Sequence, residues 1–208
     1  MKQLSNETIE AALTPYLVTT SALLCDRIRT YIELLLRWNQ KISLTAVTNP
    51  ADVLRFHFGE SLFAVATIPI RHGRLADVGS GAGFPAVPIR MVSEHLDIVL
   101  IESKQKKATF LAEIVRELHL KDVDVRRCRM EDVDLRDEKI DFVTTRALGI
   151  DDAFLNWSQS SLSSDGSVVL WLGDTDAAKI SQKSGWKWTN PIRLPQSDKR
   201  VILRGSMI

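Results

Sequence analysis

Three glycines alternate at positions 79, 81 and 83, directly after the short apolar run Leu75-Ala-Asp-Val78 and directly before Phe84-Pro85. Few folds accommodate such a segment. A strand has to end there, the backbone has to turn sharply, and a helix can begin near Pro85. Glycine has no Cβ, so the chain can turn and a ligand can come against bare backbone. A helix opening behind the turn offers free N–H groups to an anionic or polar group. The spacing is Gly-x-Gly-x-Gly, so the third glycine of the dinucleotide fingerprint is out of place. Asp77, two residues ahead of the first glycine, suits a cationic group such as an α-ammonium. A pyrophosphate gains nothing from a carboxylate at that point.

Glu102 lies 19 residues beyond Gly83, at the end of a second apolar run, Ile98-Val-Leu-Ile101. A carboxylate there can accept both ribose hydroxyls of a nucleoside cofactor. Taken singly, the two features also read as an ordinary tight turn and a solvated strand-end charge. Together they predict S-adenosylmethionine rather than NAD. The cofactor-binding candidates are Asp77, Gly79, Ser80, Gly81, Gly83 and Phe84 in the turn, with Glu102 and Ser103 behind the second strand.

The rest of the chain is organised around that turn. From about residue 71, apolar strand-like runs alternate with helical patterns. Phe110, Leu111, Ile114, Val115 and Leu118 fall on one face of a helix spanning 104–118, and further strands are expected at 123–125, 140–145 and 167–172. Such alternation predicts an α/β fold with a mostly parallel sheet and right-handed crossovers. The tail, 187–204, reads as one or two closing strands. Residues 1–70 read differently, as an N-terminal helical cap on a core of residues 71–208. Leu23, Leu24, Ile28, Ile32, Leu35 and Leu36 recur at helical spacing behind a candidate N-cap, Ser21. A second helical piece is expected at Asn49, with Pro50 at its first position, where a missing N–H costs nothing.

Charge narrows the partners. Lys plus Arg is 27 against 26 Asp plus Glu, a net charge of +1, so bulk charge does not hold this chain to nucleic acid. The charge is unevenly spread, however. Residues 179–208 hold seven basic residues against one acid, Asp198, so this segment carries +6 and the remainder −5. That asymmetry suits RNA contact through Lys199, Arg200 and Arg204, or else a sheet edge protected by charge. Trp186 and Trp188 flank Lys187 and would share one face of a strand, more as core than as base-stacking platforms. The longest apolar candidate, Leu62–Ile70, is too short to span a bilayer. The opening MKQLSNETIE lacks the apolar stretch of a signal peptide. Cys25 and Cys128 show no CxxC or histidine spacing, so a cytoplasmic protein with reduced thiols and no metal site is expected.

Several motifs together resemble one family. DVGSGAGFPAVPI is similar to the glycine motif of the RsmG family, also called GidB, including its Gly-Phe-Pro. IESKQKKATFL resembles that family's second-strand motif, RMEDV its segment after the third strand, and FVTTRAL its Ser-Arg-Ala after the fourth. WNQKISLT and RFHFGES resemble its Trp-Asn…Asn-Leu-Thr and Arg-His…Asp-Ser segments, with Ser43 in place of Asn and Glu60 in place of Asp. Leu172 stands where the family generally has Lys. The resemblance implies a class I S-adenosylmethionine-dependent methyltransferase with a Rossmann-like fold. Its implied substrate is N7 of a guanine in 16S rRNA, free or in the small ribosomal subunit. It further implies that Gly79 and Phe84 line the cofactor pocket, that Met130 and Glu131 flank the adenine, and that Arg146 reaches the cofactor or the target base. His57, in RFHFGES, is placed to meet substrate.

The chemistry fits the residues present. Guanine N7 has a lone pair and no proton, so in-line attack on a sulfonium methyl needs no general base and depends on alignment. The fourth strand ends in Thr144-Thr145-Arg146 rather than the Asn-Pro-Pro-aromatic turn used on exocyclic amines. Arg146 is therefore the catalytic candidate, or alternatively a surface partner of Asp151 or Asp152. A cofactor-binding module without catalysis, with Leu172 as its motive, and a small-molecule methyltransferase remain as alternative functions.

Overall fold

A computed structural model describes residues 4–135, 138–146 and 149–208. Ala147 and Leu148, the end of the FVTTRAL segment, lie outside the described residues. The N-terminal part holds α1 (Asn6–Leu13), α2 (Ala22–Asn39), α3 (Pro50–Asp52), a π-helical turn (Val53–Gly59) and α4 (Glu60–Thr67). Then follow β1 (His72–Val78), α5 (Ala86–Val92), β2 (His95–Ile101), α6 (Gln105–Glu117), β3 (Val123–Arg126) and β4 (Ile140–Arg146). The chain closes with α7 (Asp152–Ser161), β5 (Leu162–Gly173), α8 (Asp174–Ile180), β6 (Trp186–Trp188), β7 (Ile192–Arg193) and β8 (Arg200–Met207).

The sheet runs β3-β2-β1-β4-β5-β8-β6, with β7 paired on β8. Strands β1 to β5 are parallel, and β8 is antiparallel to both β5 and β6. Successive strand residues point to opposite faces. Leu75, Ile98, Leu100, Phe142, Val169 and Ile202 enter one core, and Ala76, Val99, Ile101, Val143, Val168 and Leu203 enter the other. Burial on both faces explains why these strands read as continuous apolar runs. The first core also takes up Ile28, Tyr31, Leu35, Phe58 and Leu62 from the N-terminal helices. The cap and the sheet thus share one hydrophobic cluster, and the change of texture near residue 70 is not a gap in the core.

Local signals explain the helix starts. The Ser21 hydroxyl accepts from Leu24 N, and the Asn49 side chain accepts from Ala51 N just ahead of Pro50. Asp151, one of the two acids that proximity in the chain offers to Arg146, instead accepts from Phe154 N as the cap of α7, and Asp152 pairs with Lys183. The tail differs from expectation. It contributes three strands rather than one or two, and α8 precedes them. Trp186 is buried and stacks on Trp188 at 5.5 Å, so this pair is core. Gly205 lies under the Trp188 ring, where any Cβ would collide.

Candidate active site

The strand order reverses between β1 and β4, where open α/β sheets bind ligands at the carboxyl ends of their strands. A cavity of about 710 Å³ opens there, a size suited to a small molecule. Its wall includes Gly79, Ser80, Gly81, Ala82 and Phe84 from the turn after β1, and Glu102, Ser103, Lys104 and Lys107 after β2. Cys128, Arg129, Met130 and Glu131 follow from beyond β3, Arg146 from the end of β4, and Leu44, Thr45, Ala46 and His57 from the N-terminal part.

Glu102 is held firmly. Its Oε2 accepts from Gly81 N at 3.0 Å and its Oε1 from Lys104 N at 2.7 Å. Each carboxylate oxygen keeps a second lone pair, which suits a vicinal pair of hydroxyls. Gly81 has φ +55° and open space where a Cβ would stand, its nearest neighbour being Gly79 O at 3.7 Å.

Gly83 departs from the expectation that it binds cofactor. It is absent from the cavity wall, and its φ is +85°. A Cβ at 83 would strike the Tyr31 hydroxyl and crowd Val87, so this glycine serves the packing of α2 against the turn. Asp77 also differs from a direct ligand contact. It is buried behind the turn and does not line the cavity, because its Oδ1 accepts from Thr144 Oγ1 at 2.6 Å. Its Oδ2 is buried with no hydrogen-bond partner among the described residues. Burial lifts the Asp77 carboxyl to about 7, against the hydroxyls of Thr144 and Ser80, and nearby Glu102 adds to the rise.

The N-terminal helices supply the opposite wall. Phe84 stacks on Tyr31 at 5.1 Å and on His57 at 4.6 Å. His57 Nε2 shares a hydrogen bond with Thr45 Oγ1 at 2.8 Å. Burial first, then the charge of Arg146, depress His57 to about 3, so the ring is neutral at physiological pH. Asn39 shapes the adjoining loop, since its Oδ1 accepts from both Leu44 N and Thr45 N. Leu44 and Thr45 close the WNQKISLT segment, whose resemblance to the family implies no role for these two residues. Asn39 in the same segment is the physical signal, because an asparagine ending a helix often ties down the loop that follows.

Arg146 lines the cavity, and its partner is Glu60 rather than Asp151 or Asp152, with Nη2 to Oε2 at 2.9 Å. Arg200 reaches the other oxygen of Glu60 at 2.6 Å and lies 4.7 Å from the Phe56 ring centre. Arg200 is therefore engaged in an ion pair and is not a loose cation of the tail. Arg204 donates to Ser167 Oγ from β8, inside the sheet, and Lys199 is exposed but outside the cavity wall. The tail's charge asymmetry is thus partly neutralised internally, and Arg193 likewise pairs with Asp174. Lys104, Lys107 and Arg129 at the cavity rim make no ion pair among the described residues. Leu172 packs against the core that takes up Phe154 and Ala177, and it is not in the wall.

Among the described residues no cluster of His, Cys, Asp or Glu is arranged to hold a metal ion, and no helix is long and apolar enough to cross a membrane. The chain fits the model of the family described as "GidB: rRNA small subunit methyltransferase G" over residues 24–189. It is 32% identical over 162 residues to the ribosomal RNA small subunit methyltransferase G of Syntrophotalea carbinolica, covering 76% of this chain and 73% of that one. The protein of the same name from Oenococcus oeni is 34% identical over 188 residues, covering 84% and 78%. Among solved structures, a SAM-dependent methyltransferase from Aquifex aeolicus superposes with a TM-score of 0.64 at 17% identity, over 76% of this chain and 93% of that one. Ribosomal protein L11 methylase from Lactobacillus delbrueckii subsp. bulgaricus gives 0.60 at 17% identity, over 74% and 79%. At such identities the structural likeness speaks for the Rossmann-like methyltransferase fold alone.

Proposed function

The chain belongs to the GidB family of rRNA small subunit methyltransferases, and from that premise we propose that its cavity serves methyl transfer from S-adenosylmethionine to N7 of a guanine in 16S rRNA. The protein is an S-adenosylmethionine-dependent rRNA methyltransferase. The observation that carries the site assignment is Glu102, a carboxylate fixed by two backbone N–H groups at the edge of a glycine-lined cavity.

The residues present fit the cofactor. Glu102 would take the ribose hydroxyls, the backbone of 79–81 the amino-acid end, and Met130 and Glu131 the adenine. Asp77, buried behind the turn with its Oδ2 unpartnered among the described residues, is charged above about pH 7, and an α-ammonium held in front of the turn would favour that ionised form. When bound, S-adenosylmethionine supplies an electrophilic methyl group. The protein's task is then alignment, because the N7 lone pair carries no proton to remove. His57 lines the cavity, but its lowered basicity and its Nε2 bond to Thr45 make it a poor proton acceptor, and Asp77 is walled off, which agrees with that. Arg146 aligns the base or the cofactor from the end of β4. Lys104, Lys107 and Arg129 at the rim meet RNA phosphates, which position the nucleotide without reading its sequence. The substrate is the small ribosomal subunit or its 16S rRNA, which puts the protein at work in the cytoplasm.

Labelled S-adenosylmethionine offered with intact small subunits, naked 16S rRNA and small-molecule acceptors tests this reading. Label recovered as 7-methylguanosine from either RNA form supports it. Label on small molecules alone, or cofactor binding without transfer, overturns it.

A further inference from the structure

We propose, resting on the reading of the cavity as a methyl-transfer site, that Glu60 is a positioning residue for Arg146, a buried carboxylate that holds the guanidinium in the cavity wall. Three segments far apart in the chain meet at this point. Glu60 opens α4, Arg146 ends β4 and Arg200 begins β8. Glu60 is 1% exposed; its Oε2 accepts a hydrogen bond from Arg146 Nη2 at 2.9 Å, and its Oε1 lies 2.6 Å from Arg200 Nη2 as an ion pair without hydrogen-bond alignment. Its backbone carbonyl accepts from Trp171 Nε1 at 2.9 Å, so the carboxylate is anchored from β5 as well. Glu60 and Arg200 do not line the cavity, whereas Arg146 does. They act behind the wall.

The electrostatics make the carboxylate's charge essential. Burial raises the pKa of Glu60, and the two guanidiniums pull it back. Burial likewise weakens the hold of Arg146 on its charge, and Glu60 offsets part of that loss. Neutralising Glu60 leaves two guanidiniums close together with no anion between them, and breaking a buried pair from one side costs far more than the pair contributes. Arg146 Nη2 is tied to Glu60 while Nη1 is buried without a partner among the described residues, so the carboxylate is the group that fixes the plane of the guanidinium. A planar fork aligns a base or carboxylate only while that plane is fixed.

Glu60→Gln and Glu60→Asp test the assignment, with cofactor affinity by calorimetry, melting, steady-state transfer to small subunits, and NMR of the Arg146 guanidinium. In Glu60→Gln, melting falls because two guanidiniums lose their buried anion, and kcat measured well below that melting point falls by about tenfold or more through misalignment, while cofactor affinity changes little. Glu60→Asp restores the charge with a shorter reach, so its kcat lies between Gln and wild type. The Arg146 N–H signals, resolved in wild type, average in Glu60→Gln. Wild-type kcat in Glu60→Gln overturns the proposal, as does a kcat loss that merely tracks melting in both variants. If Glu60→Gln does not fold, Glu60→Asp decides: reduced kcat at near-normal melting supports the role, and unchanged kcat overturns it. A wild type that methylates no RNA defeats the functional reading instead. The Arg146 signals then decide alone, with averaging in the variant supporting positioning and persistence overturning it.

Discussion

The Tyr31 hydroxyl donates to the Ala82 carbonyl at 2.6 Å, so a helix of the N-terminal part is bolted to the glycine turn that lines the cavity. Tyr31 is fully buried, and burial, with a smaller push from Asp77, holds its hydroxyl well above its ordinary pKa, so it remains a donor. The same ring stacks on Phe84, and the same hydroxyl is what forbids a side chain at position 83. One tyrosine therefore sets the height of the turn, the plane of Phe84 and the need for Gly83.

Tyr31→Phe leaves a buried carbonyl without its donor and should cost about 1–3 kcal/mol. Gly83→Ala forces a Cβ into Tyr31 at a positive φ and should cost at least about 1–3 kcal/mol. Gly81→Ala meets no collision but is strained at φ +55°, so it should melt lower than wild type yet higher than Gly83→Ala, and it should also weaken cofactor binding. Melting curves of the three variants with and without cofactor check this ordering.

Glu102→Ala should weaken cofactor binding by at most about 1.5–3 kcal/mol for each charge-assisted bond removed. Glu102→Gln retains the shape but turns one acceptor into a donor facing a backbone N–H. It should therefore bind less well than wild type despite its size. Titration calorimetry on both variants measures the effect, and unchanged affinity would remove Glu102 from the site.

Asp77 makes stability depend on pH. Its folded carboxyl titrates near 7, above its ordinary value of 3.8. Between those values the folded state keeps a proton that the unfolded state has released, so stability falls as pH rises through this window and levels off above about 7. Asp77→Asn cannot ionise. Its stability relative to wild type should rise from about pH 4 to about pH 8, either side of that window, which denaturant titrations at the two pH values would show. An equal difference at both would mean that Asp77 is not titrating as described.

The salt dependence of RNA binding locates the basic surface. Each phosphate no longer neutralised should flatten the log-log slope by about 0.7–0.9. Replacing Lys104 and Lys107 together by Ala should flatten it more than replacing Lys199 and Arg204 together, because Arg204 is bound to Ser167 within the sheet. The reverse order would return the interface to the tail.

The features legible in the sequence are short-range. The turn at 79–83 and the Ser21 and Asn49 caps follow from residues within one or two turns of chain, and the acid at 102 and the parallel strands from the order of such local elements along it. Glu60 does not announce itself as a partner because it lies 86 residues from Arg146, and an ion pair across that span leaves no periodic trace. Gly83 resembles its neighbours because spacing cannot tell a glycine needed by a ligand from one needed by Tyr31. The tail's cations read as free because their partners, Glu60, Asp174 and Ser167, come from other elements. Helix α8 is invisible in the pattern because DTDAAKI is seven residues with little apolar periodicity, and packing of Ala177 and Ile180 on the sheet makes it a helix.

The most direct measurement is mass-spectrometric mapping of 16S rRNA after reaction of the purified protein with isotopically labelled S-adenosylmethionine and unmodified small subunits or their naked RNA. Methyl transfer to guanine N7 aligned by Arg146 predicts label in a single nucleoside, 7-methylguanosine, with much reduced incorporation by Arg146→Ala at near-normal melting. Label on another atom of the base, on a ribose hydroxyl, or on no RNA nucleoside at all would contradict it.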